Sequence, residues 1–468
     1  MSIRHILAIL ALSLAATVGM PALAADPLPV PAHGVVGITP AQLEVDFWLK
    51  HLSDPDRVIM DTDAVRAYDA RVQKLDPYVY DLRALPAQLE GTRLREWITP
   101  SSSLTERTLY DVHGKQVPAA TLQGFVDALA LDAIPDRQNV RFGLVVHRAA
   151  VRSYPTTLRV FSHKGDTDID RFQETALVPG TPVAVLHESA DGQWLYVEAP
   201  RYRAWVQAKY IATGDKDEVL DYADKAPFLV VTGDSVRTVF TREEPRVSKL
   251  QLDMGTRVPF DPSWPDDKPV NGQGPYASHV IRLPVRNDDG SLGFRHALLQ
   301  KNTDTRDHYL PLTQANITRQ AFKFLGERYG WGHSYDGRDC SGFVSDVYRS
   351  MGIVMPRNTS AQSVSPAADL TSFDEHSSHA ERMKAVEALQ TGDLIYIPGH
   401  VMMMLGRLHG QPYVIQDVLG AGFFDEDGQF RHVKLNQVAV TPLLPLMNSD
   451  HKTWVDRMTA IVRIRPQP

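Results

Sequence analysis

The chain has 468 residues, of which 43% are hydrophobic and 22% are charged. At roughly 150 residues per domain, this length predicts three or four domains and excludes a single core. The formal net charge of −7 excludes a basic protein that tracks nucleic-acid phosphates. One cysteine, Cys340, excludes an intrachain disulfide and any site that needs several thiolates, such as an iron–sulfur cluster.

The N-terminus has the pattern of a secretory signal peptide. Arg4 precedes an apolar stretch over 6–19, and a small-x-small cleavage motif follows at 22–24. The stretch is too short for a membrane span, and no cysteine follows it that could carry a lipid. We therefore expect residues 1–24 to be removed and the mature protein, without a membrane span, to be periplasmic or secreted.

Residues 25–140 are predicted to form a mainly helical, stabilising segment. Helix-like stretches cover 43–52, 62–75 and 121–131, with Thr or Asp at capping positions. Nothing in this region combines a nucleophile with a base. Its predicted role is to pack against and position the domains that follow.

Residues 141–215 and 216–305 have the pattern of two consecutive small all-β barrels. Short apolar runs alternate with turn signals, and the second range repeats the pattern more loosely than the first. From 306 to 468 the order changes to helices followed by strands. A helix over 314–329, another beginning at Cys340 and strands from Asp393 onward predict an α+β domain.

Cys340 stands where a nucleophile is expected. Asp339 occupies the N-cap position of an amphipathic helix that begins at Cys340. Unpaired backbone N–H groups and the positive end of the helix dipole are expected to lower the pKa of such a thiol. Gly330, Gly332 and Gly337 are expected to leave room for a substrate backbone. The alternative is a buried, inert thiol.

His400 is the candidate base. It follows a strand-like run over 394–397 and a Pro-Gly turn, and it opens a second apolar run. A histidine at the mouth of a hairpin can face a cleft while its strand is fixed in the core; a surface turn histidine is the alternative. The next strand carries Gln416, whose side-chain oxygen can accept a hydrogen bond from the ring. His409 and Asp417 are alternatives for this orienting role.

These residues lie in blocks that resemble a known family. Asp-Cys-Ser-Gly-Phe-Val at 339–344, Gly-Asp-Leu at 392–394 and Gly-His-Val at 399–401 resemble the NlpC-type papain-like cysteine peptidases of bacterial cell walls. The resemblance covers about residues 314–465. With the region before it, the chain is similar to the subgroup that cleaves the γ-D-glutamyl–diaminopimelate bond of murein stem peptides.

The resemblance implies a fold and a catalytic set. The fold is multi-domain, with a helical N-terminal segment, two small all-β SH3-like barrels and an α+β papain-like catalytic domain. Cys340 matches the nucleophile and His400 the general base and acid. Gln416 stands where the family most often has His, a departure that concerns the orientation of the imidazole. The backbone N–H of Cys340 is expected to be one oxyanion donor.

The resemblance also implies substrate-binding residues. Asp339 and Ser341 match positions that help to bind the free amine and carboxylate ends of the substrate, and Tyr329 matches an active-site tyrosine. In the subgroup, the first barrel narrows the cleft and favours short peptides with a free N-terminal L-Ala. Tyr154, in an early turn of that barrel, is the predicted wall.

No metal or other cofactor is implied, and the expected partners are peptidoglycan stem peptides or murein fragments. The Asp-Glu-His-Ser-Ser-His stretch at 374–379 carries two histidines but lacks the HExxH order, and we interpret it as a solvated loop. Two other functions stay open. One is an amidase or acyltransferase that uses the same Cys–His pair. The other is a non-catalytic peptidoglycan-binding scaffold, which only the glutamine at position 416 favours.

Overall fold

The computed structural model describes residues 30, 34–103 and 106–466. The predicted signal peptide, residues 1–24, lies outside these ranges. Within the described part of the chain, no helix has the length and apolar character that a membrane crossing requires.

Residues 34–139, the N-terminal segment, combine short helices with three short strands. The helices are α1 Val45–Leu49, α2 Thr62–Leu75, α3 Gly91–Ser101 and α4 Ala119–Asp127, and the strands are β1 Val58–Met60, β2 Gln88–Glu90 and β3 Arg137–Asn139. Asp61 caps α2 by accepting a hydrogen bond from the Ala64 N–H at 2.8 Å. The segment packs on the C-terminal domain through Trp48, whose ring centroid lies 5.4 Å from that of Tyr413.

Residues 141–214, the first β-domain, form one antiparallel sheet of seven strands. The strands are β4 Arg141–Val145, β5 Ala149–Arg152, β6 Gln173–Leu177, β7 Pro182–Glu188, β8 Trp194–Ala199, β9 Tyr202–Gln207 and β10 Ile211–Gly214. Their order in the sheet is β10-β4-β7-β8-β9-β5-β6. One face of the sheet forms an apolar core of its own, which includes Val151, Val185 and Val206. Its other face packs against the N-terminal segment.

Helix α5, Lys216–Tyr222, leads into residues 228–306, the second β-unit. Its strands are β11 Phe228–Val231, β12 Ser235–Arg237, β13 Gln251–Asp253, β14 Arg257–Pro259, β15 Ser278–Arg286, β16 Leu292–Gln300 and β17 Thr305–Arg306. They pair as the three-stranded sheet β14-β11-β17 and as the pairs β12-β13 and β15-β16. One apolar cluster, with Leu252, Ile281 and Leu299 among its members, joins them.

Residues 312–466, the C-terminal domain, combine helices with a six-stranded antiparallel sheet. The helices are α6 Gln314–Phe322, α7 Cys340–Arg349, α8 Thr359–Gln362 and α9 His379–Glu387. The strands are β18 Leu312–Thr313, which pairs with β1, and β19 Asp369–Ser372, β20 Leu394–Ile397, β21 His400–Leu408, β22 Gln411–Phe424, β23 Phe430–Pro442 and β24 Ala460–Arg463. The sheet order is β19-β24-β20-β21-β22-β23.

The apolar run at 401–405 is explained by a sheet that is covered on both faces. Val401 and Met403 point into the core that contains Phe343 of α7. Met402 and Met404 point into a second core on the opposite face. Because successive strand residues face opposite sides, a strand buried on both faces has no polar alternation. α7 is thereby fixed against β21, the strand that His400 begins.

The helix predicted over 314–329 ends earlier than expected, at Phe322. Gly326 adopts a φ of +85°, and its N–H donates to the Val438 carbonyl at 2.9 Å. The Tyr329 N–H likewise donates to the Asn436 carbonyl at 3.1 Å. Residues 326–329 therefore run along the edge of β23, and a long-range backbone pairing overrides the local helical pattern.

Trp48 offers a test of how the N-terminal segment is held. Its side chain is 1% exposed, and its indole N–H donates to the Gln42 carbonyl at 2.8 Å. Trp48→Ala is expected to lower the free energy of unfolding by about 3–5 kcal/mol, because it leaves a cavity against Tyr413. Leu43→Ala, at a position 40% exposed in the same segment, should change it by less than about 0.5 kcal/mol. Denaturant titration followed by far-UV circular dichroism measures both free energies of unfolding. Equal losses in Trp48→Ala and Leu43→Ala would contradict the packing described.

Candidate active site

The helix that begins at Cys340 is held at its start by a buried ion pair. Asp339 Oδ1 accepts a hydrogen bond from the Gly342 N–H at 2.8 Å, as an N-cap does. Arg357 donates to both oxygens of the same carboxylate, at 3.1 and 2.8 Å. Burial alone would raise the pKa of Asp339, but the Arg357 guanidinium and the hydrogen bonds from Gly342 and Ser341 hold it below its ordinary value. The carboxylate is therefore charged, and its hydrogen bonds hold the start of the helix.

Arg357 connects the ion pair to the first β-domain. Its Nε donates to Thr175 Oγ1, in β6, at 2.6 Å, and its Nη1 donates to Ser341 Oγ at 2.9 Å. The Arg357 side chain is buried, so these bonds are made away from water. The first β-domain thus contributes directly to the position of the residues around Cys340.

The loop before the helix is also held by the first β-domain. Gln173 accepts the Trp331 indole N–H at its carbonyl, 3.0 Å away, and donates from its side chain to the Gly332 carbonyl at 2.8 Å. Gly332 has a φ of +56°, and a Cβ there would lie 2.8 Å from the Gln173 side chain. The glycine is therefore needed for contact within the protein. The expectation that it leaves room for a substrate backbone is wrong for this position.

The Cys340 thiol is nearly covered, at 5% exposed. Burial raises its pKa above the ordinary value, and the Asp339 carboxylate adds to this effect. The backbone N–H groups of Val401 and Ser341 act in the opposite direction and lower the pKa of the thiol. The expectation that the helix terminus lowers the pKa is thus wrong for the resting site, because burial and a neighbouring negative charge outweigh the helix end.

His400 is oriented by Gln416. The His400 Nε2 lies 2.7 Å from Gln416 Oε1, and Gln416 Nε2 donates to Thr441 Oγ1 at 2.7 Å. Because an amide oxygen can only accept, Nε2 carries the proton and Nδ1 of the neutral ring does not. The His400 ring also makes an edge contact with Trp454 at 5.7 Å. Burial lowers the pKa of His400 to about 4, although the bond to Gln416 acts to raise it.

The two alternatives to Gln416 lie elsewhere. His409 is in the turn between β21 and β22, with a φ of +50°. Asp417 is fully buried on the strand face opposite to Gln416, and neither carboxylate oxygen has a hydrogen-bond partner within the described residues. Burial raises the pKa of Asp417 well above its ordinary value, and the Asp339 carboxylate adds to this effect.

The structure gives the predicted substrate-binding residues internal contacts. Asp339 and Ser341 are 6% and 4% exposed, and Ser341 Oγ donates to Asp339 Oδ1 at 3.0 Å. Tyr329 is buried beside them; burial raises the pKa of its phenol well above the ordinary value, and Cys340 adds to the effect. Contact of these three residues with a substrate stays a prediction.

Tyr154 does not agree with its predicted role as a wall of the cleft. Its side chain is 1% exposed, and its hydroxyl donates to the Ser102 carbonyl at 2.7 Å. Its ring centroid lies 4.8 Å from that of Phe172 in the core shared with the N-terminal segment. A buried ring that is bonded inside the protein presents no surface to a peptide, so this prediction is wrong.

Three residues that hold the site were missed by sequence reasoning, namely Arg357, Thr441 and Thr175. The sequence does contain an indication for Arg357, because it is a lone cation directly after the apolar stretch 353–356. A cation that is buried there requires an acidic partner. Thr441 and Thr175 had none, since a threonine on a strand is ordinary. Their roles come only from the pairing of distant strands.

The stretch at 374–379 makes local contacts. His379 Nδ1 lies 2.6 Å from the Asp456 carboxylate, and Ser378 and Glu381 form a capping box at the start of α9. Within the ranges that the structure describes, no group of three or more His, Cys, Asp or Glu side chains is arranged to hold a metal ion.

Comparison with known proteins matches two parts of the chain to families. Residues 326–463 match the NlpC/P60 family, and residues 159–207 match the SH3 domain of the SH3b1 type. A solved structure described as a novel NlpC/P60 endopeptidase from Photobacterium damselae subsp. piscicida superposes with a TM-score of 0.70, covering 90% of this chain and 97% of that one. The two chains are 17% identical, so this likeness concerns the fold.

Two curated proteins are similar over about half of the chain. Dipeptidyl-peptidase 6 of Lysinibacillus sphaericus is 23% identical over 235 residues, which cover 49% of this chain and 75% of that protein. Gamma-D-glutamyl-L-lysine dipeptidyl-peptidase of Bacillus cereus is 27% identical over 257 residues, which cover 50% of this chain and 65% of that protein. The chain therefore carries a cysteine peptidase domain of the NlpC/P60 family together with an SH3 domain of the SH3b1 type.

Proposed function

We propose that the protein hydrolyses the γ-D-glutamyl–diaminopimelate bond of peptidoglycan stem peptides, with Cys340 as nucleophile and His400 as general base and acid. The observation that carries the proposal is the bond from His400 Nε2 to Gln416 Oε1, 2.7 Å long. It leaves the unprotonated Nδ1 to accept the thiol proton. Cys340 and Val401, the residue after His400, belong to one apolar cluster, which supports the proximity of Cys340 and His400.

In this mechanism the resting pair is neutral. When the substrate carbonyl approaches, Nδ1 of His400 takes the proton from Cys340 Sγ, and the sulfur attacks the γ-glutamyl carbonyl carbon. The backbone N–H of Cys340 is a donor for the resulting oxyanion. The imidazolium then gives its proton to the leaving amine of the diamino acid. A water molecule hydrolyses the thioester, with His400 again accepting a proton, and thiol and free carboxylate are restored.

The bond specificity is supported by the names of the relatives. One is called a gamma-D-glutamyl-L-lysine dipeptidyl-peptidase and the other a dipeptidyl-peptidase. Both names describe release of two residues from a peptide end. We carry this property to the present chain as part of the proposal, with murein fragments as the substrate class.

We further propose that the second β-unit is a second SH3-like domain. Its support is a single core shared by three small antiparallel sheets over 228–306. In this proposal, the two β-rich parts lie beside the C-terminal domain and limit how murein peptides can approach it.

Export is the remaining part of the proposal. The pattern of residues 1–24 supports cleavage after Ala24 and a periplasmic or secreted mature protein. Expression of the full chain in a Gram-negative host should give a periplasmic product whose N-terminal sequence begins at Ala25. Recovery of the uncleaved chain from the cytoplasm would contradict this.

The bond specificity is tested with the tripeptide L-Ala–γ-D-Glu–diaminopimelate. The mature protein should release L-Ala–D-Glu, detected by mass spectrometry, and Cys340→Ala should release none, because no thiolate attack can occur. The same peptide with L-Lys in place of diaminopimelate identifies the preferred diamino acid. An intact tripeptide beside cleaved whole murein would revise the substrate. Inactivity on both would favour the scaffold function.

Gln416 is tested by removing its hydrogen bond at similar volume. Gln416→Leu should lower kcat by at least about tenfold with little effect on KM, because the imidazole loses its orientation and its preferred tautomer. Gln416→His keeps a ring acceptor and should retain more of the activity. The acid limb of the kcat/KM profile should move to lower pH in Gln416→Leu, because the bond to Gln416 raises the pKa of His400. Equal rates and profiles for wild type and Gln416→Leu would refute the orienting role.

A further inference from the structure

A cavity of about 160 Å³ lies where the first β-domain, the second β-unit and the C-terminal domain meet. β6 and the turn between β8 and β9 form one side of it, and α7 forms the other. This volume corresponds to roughly five water molecules at about 30 Å³ each, or to one small ion with its remaining waters. Three arginines line it, Arg201, Arg349 and Arg357.

The cavity shares Arg357 and Thr175 with the surroundings of Cys340 but does not reach the thiol. Its lining residues Asp346 and Arg349 follow Cys340 by six and nine positions in α7. At 1.5 Å per residue, these lie about 9 and 14 Å along the helix from Cys340. The thiol itself is not part of the lining.

The carboxylates of the cavity are already neutralised by other arginines. Asp253 is bound by Arg148 at 2.9 Å, and Asp346 is bound by Arg338 at 2.9 Å. Arg349 also reaches Asp346, at 3.0 Å. Arg349 therefore shares Asp346 with Arg338, and Arg357 is paired with Asp339. Arg201 is the lining arginine for which the described residues provide no ion pair.

Arg201 is the cation without a counter-ion. Its one hydrogen bond within the described residues is from Nη1 to the Met355 carbonyl, at 3.4 Å, and no carboxylate there lies within ion-pair distance of it. Burial lowers the pKa of Arg201 to about 9, and the nearby Arg349 adds to this effect. Its Nε and Nη2, and the Nη1 of Arg349, make no hydrogen bond within the same residues.

We propose that this cavity binds a small oxyanion, a carboxylate or a phosphate, through Arg201 and Arg349. The planar guanidinium matches two oxygens of such a group, and an anion here would supply the counter-charge that the protein lacks. Because Arg201 belongs to the first β-domain and Arg349 to α7, the anion bridges the two domains. It should therefore stabilise the folded protein.

The test uses thermal unfolding of the mature, full-length protein in sodium phosphate and, separately, in sodium acetate, each against sodium chloride at matched ionic strength. At least one oxyanion should raise Tm saturably, by about 2 °C or more. A rise with phosphate identifies a site for a tetrahedral oxyanion, and a rise with acetate identifies a site for a planar carboxylate. No rise with either salt overturns the proposal. The readout requires no catalytic activity, so it is independent of the proposed reaction.

Two variants assign the effect to the cavity. Arg201→Gln should lose the rise in Tm, whereas Arg171→Gln should keep it. Arg171 is a matched control because it is an exposed arginine of the same β-domain, bonded to Ser162 and outside the cavity. If Arg201→Gln does not fold, Arg201→Lys takes its place. This variant keeps the positive charge but loses the planar guanidinium, so the rise in Tm should be smaller than in the wild type but measurable. A full rise in Arg201→Gln would overturn the assignment.

Discussion

The buried ion pair between Asp339 and Arg357 is the interaction on which the site depends. Two charges out of water are stable only when their remaining donors and acceptors are satisfied, and removing one partner typically costs about 3–5 kcal/mol. Here the carboxylate also accepts from the N–H groups of Gly332 and Gly342, at 3.0 and 2.8 Å. The guanidinium also donates to Thr175 in the first β-domain. One ion pair therefore joins the loop before α7, the start of α7 and the first β-domain.

The site around Cys340 depends on contacts between the first β-domain and the C-terminal domain. Asp339, which caps the start of α7, and Arg357, which keeps it charged, both belong to the C-terminal domain. Arg357 is itself held by a hydrogen bond to Thr175 of the first β-domain. Separation of the two domains would leave Arg357 without Thr175 and the 331–336 loop without Gln173. Cys340 is positioned by the assembled protein and not by the C-terminal domain alone.

The chemistry of the resting pair follows from burial. A covered thiol and a covered imidazole both prefer their neutral forms. In the proposed mechanism, proton transfer from Cys340 to His400 therefore accompanies attack on the substrate carbonyl. Gln416 suits this state because an amide oxygen orients the ring without adding charge. A glutamine at this position is thus compatible with catalysis, and Thr441 gives it a fixed orientation.

The sequence predicted what local patterns control. The helix at Cys340, its Asp339 cap and the strands around His400 each follow from short-range signals, and the orienting role of Gln416 followed from its place on the next strand. It did not predict the end of α6, where Gly326 pairs with β23, or the burial of Tyr154, which the N-terminal segment covers. The raised pKa of Cys340 also depends on tertiary packing, which no local pattern contains.

The central role of the Asp339–Arg357 ion pair is tested most directly by the reactivity of Cys340. The measurement is the rate at which iodoacetamide alkylates Cys340, followed on the intact protein by mass spectrometry. The chain has one cysteine, so the adduct reports one site. With the fold verified by circular dichroism, Arg357→Met should slow alkylation at pH 7.5 by at least about tenfold, because the uncompensated Asp339 charge further disfavours the thiolate. An unchanged rate in folded Arg357→Met would contradict the account.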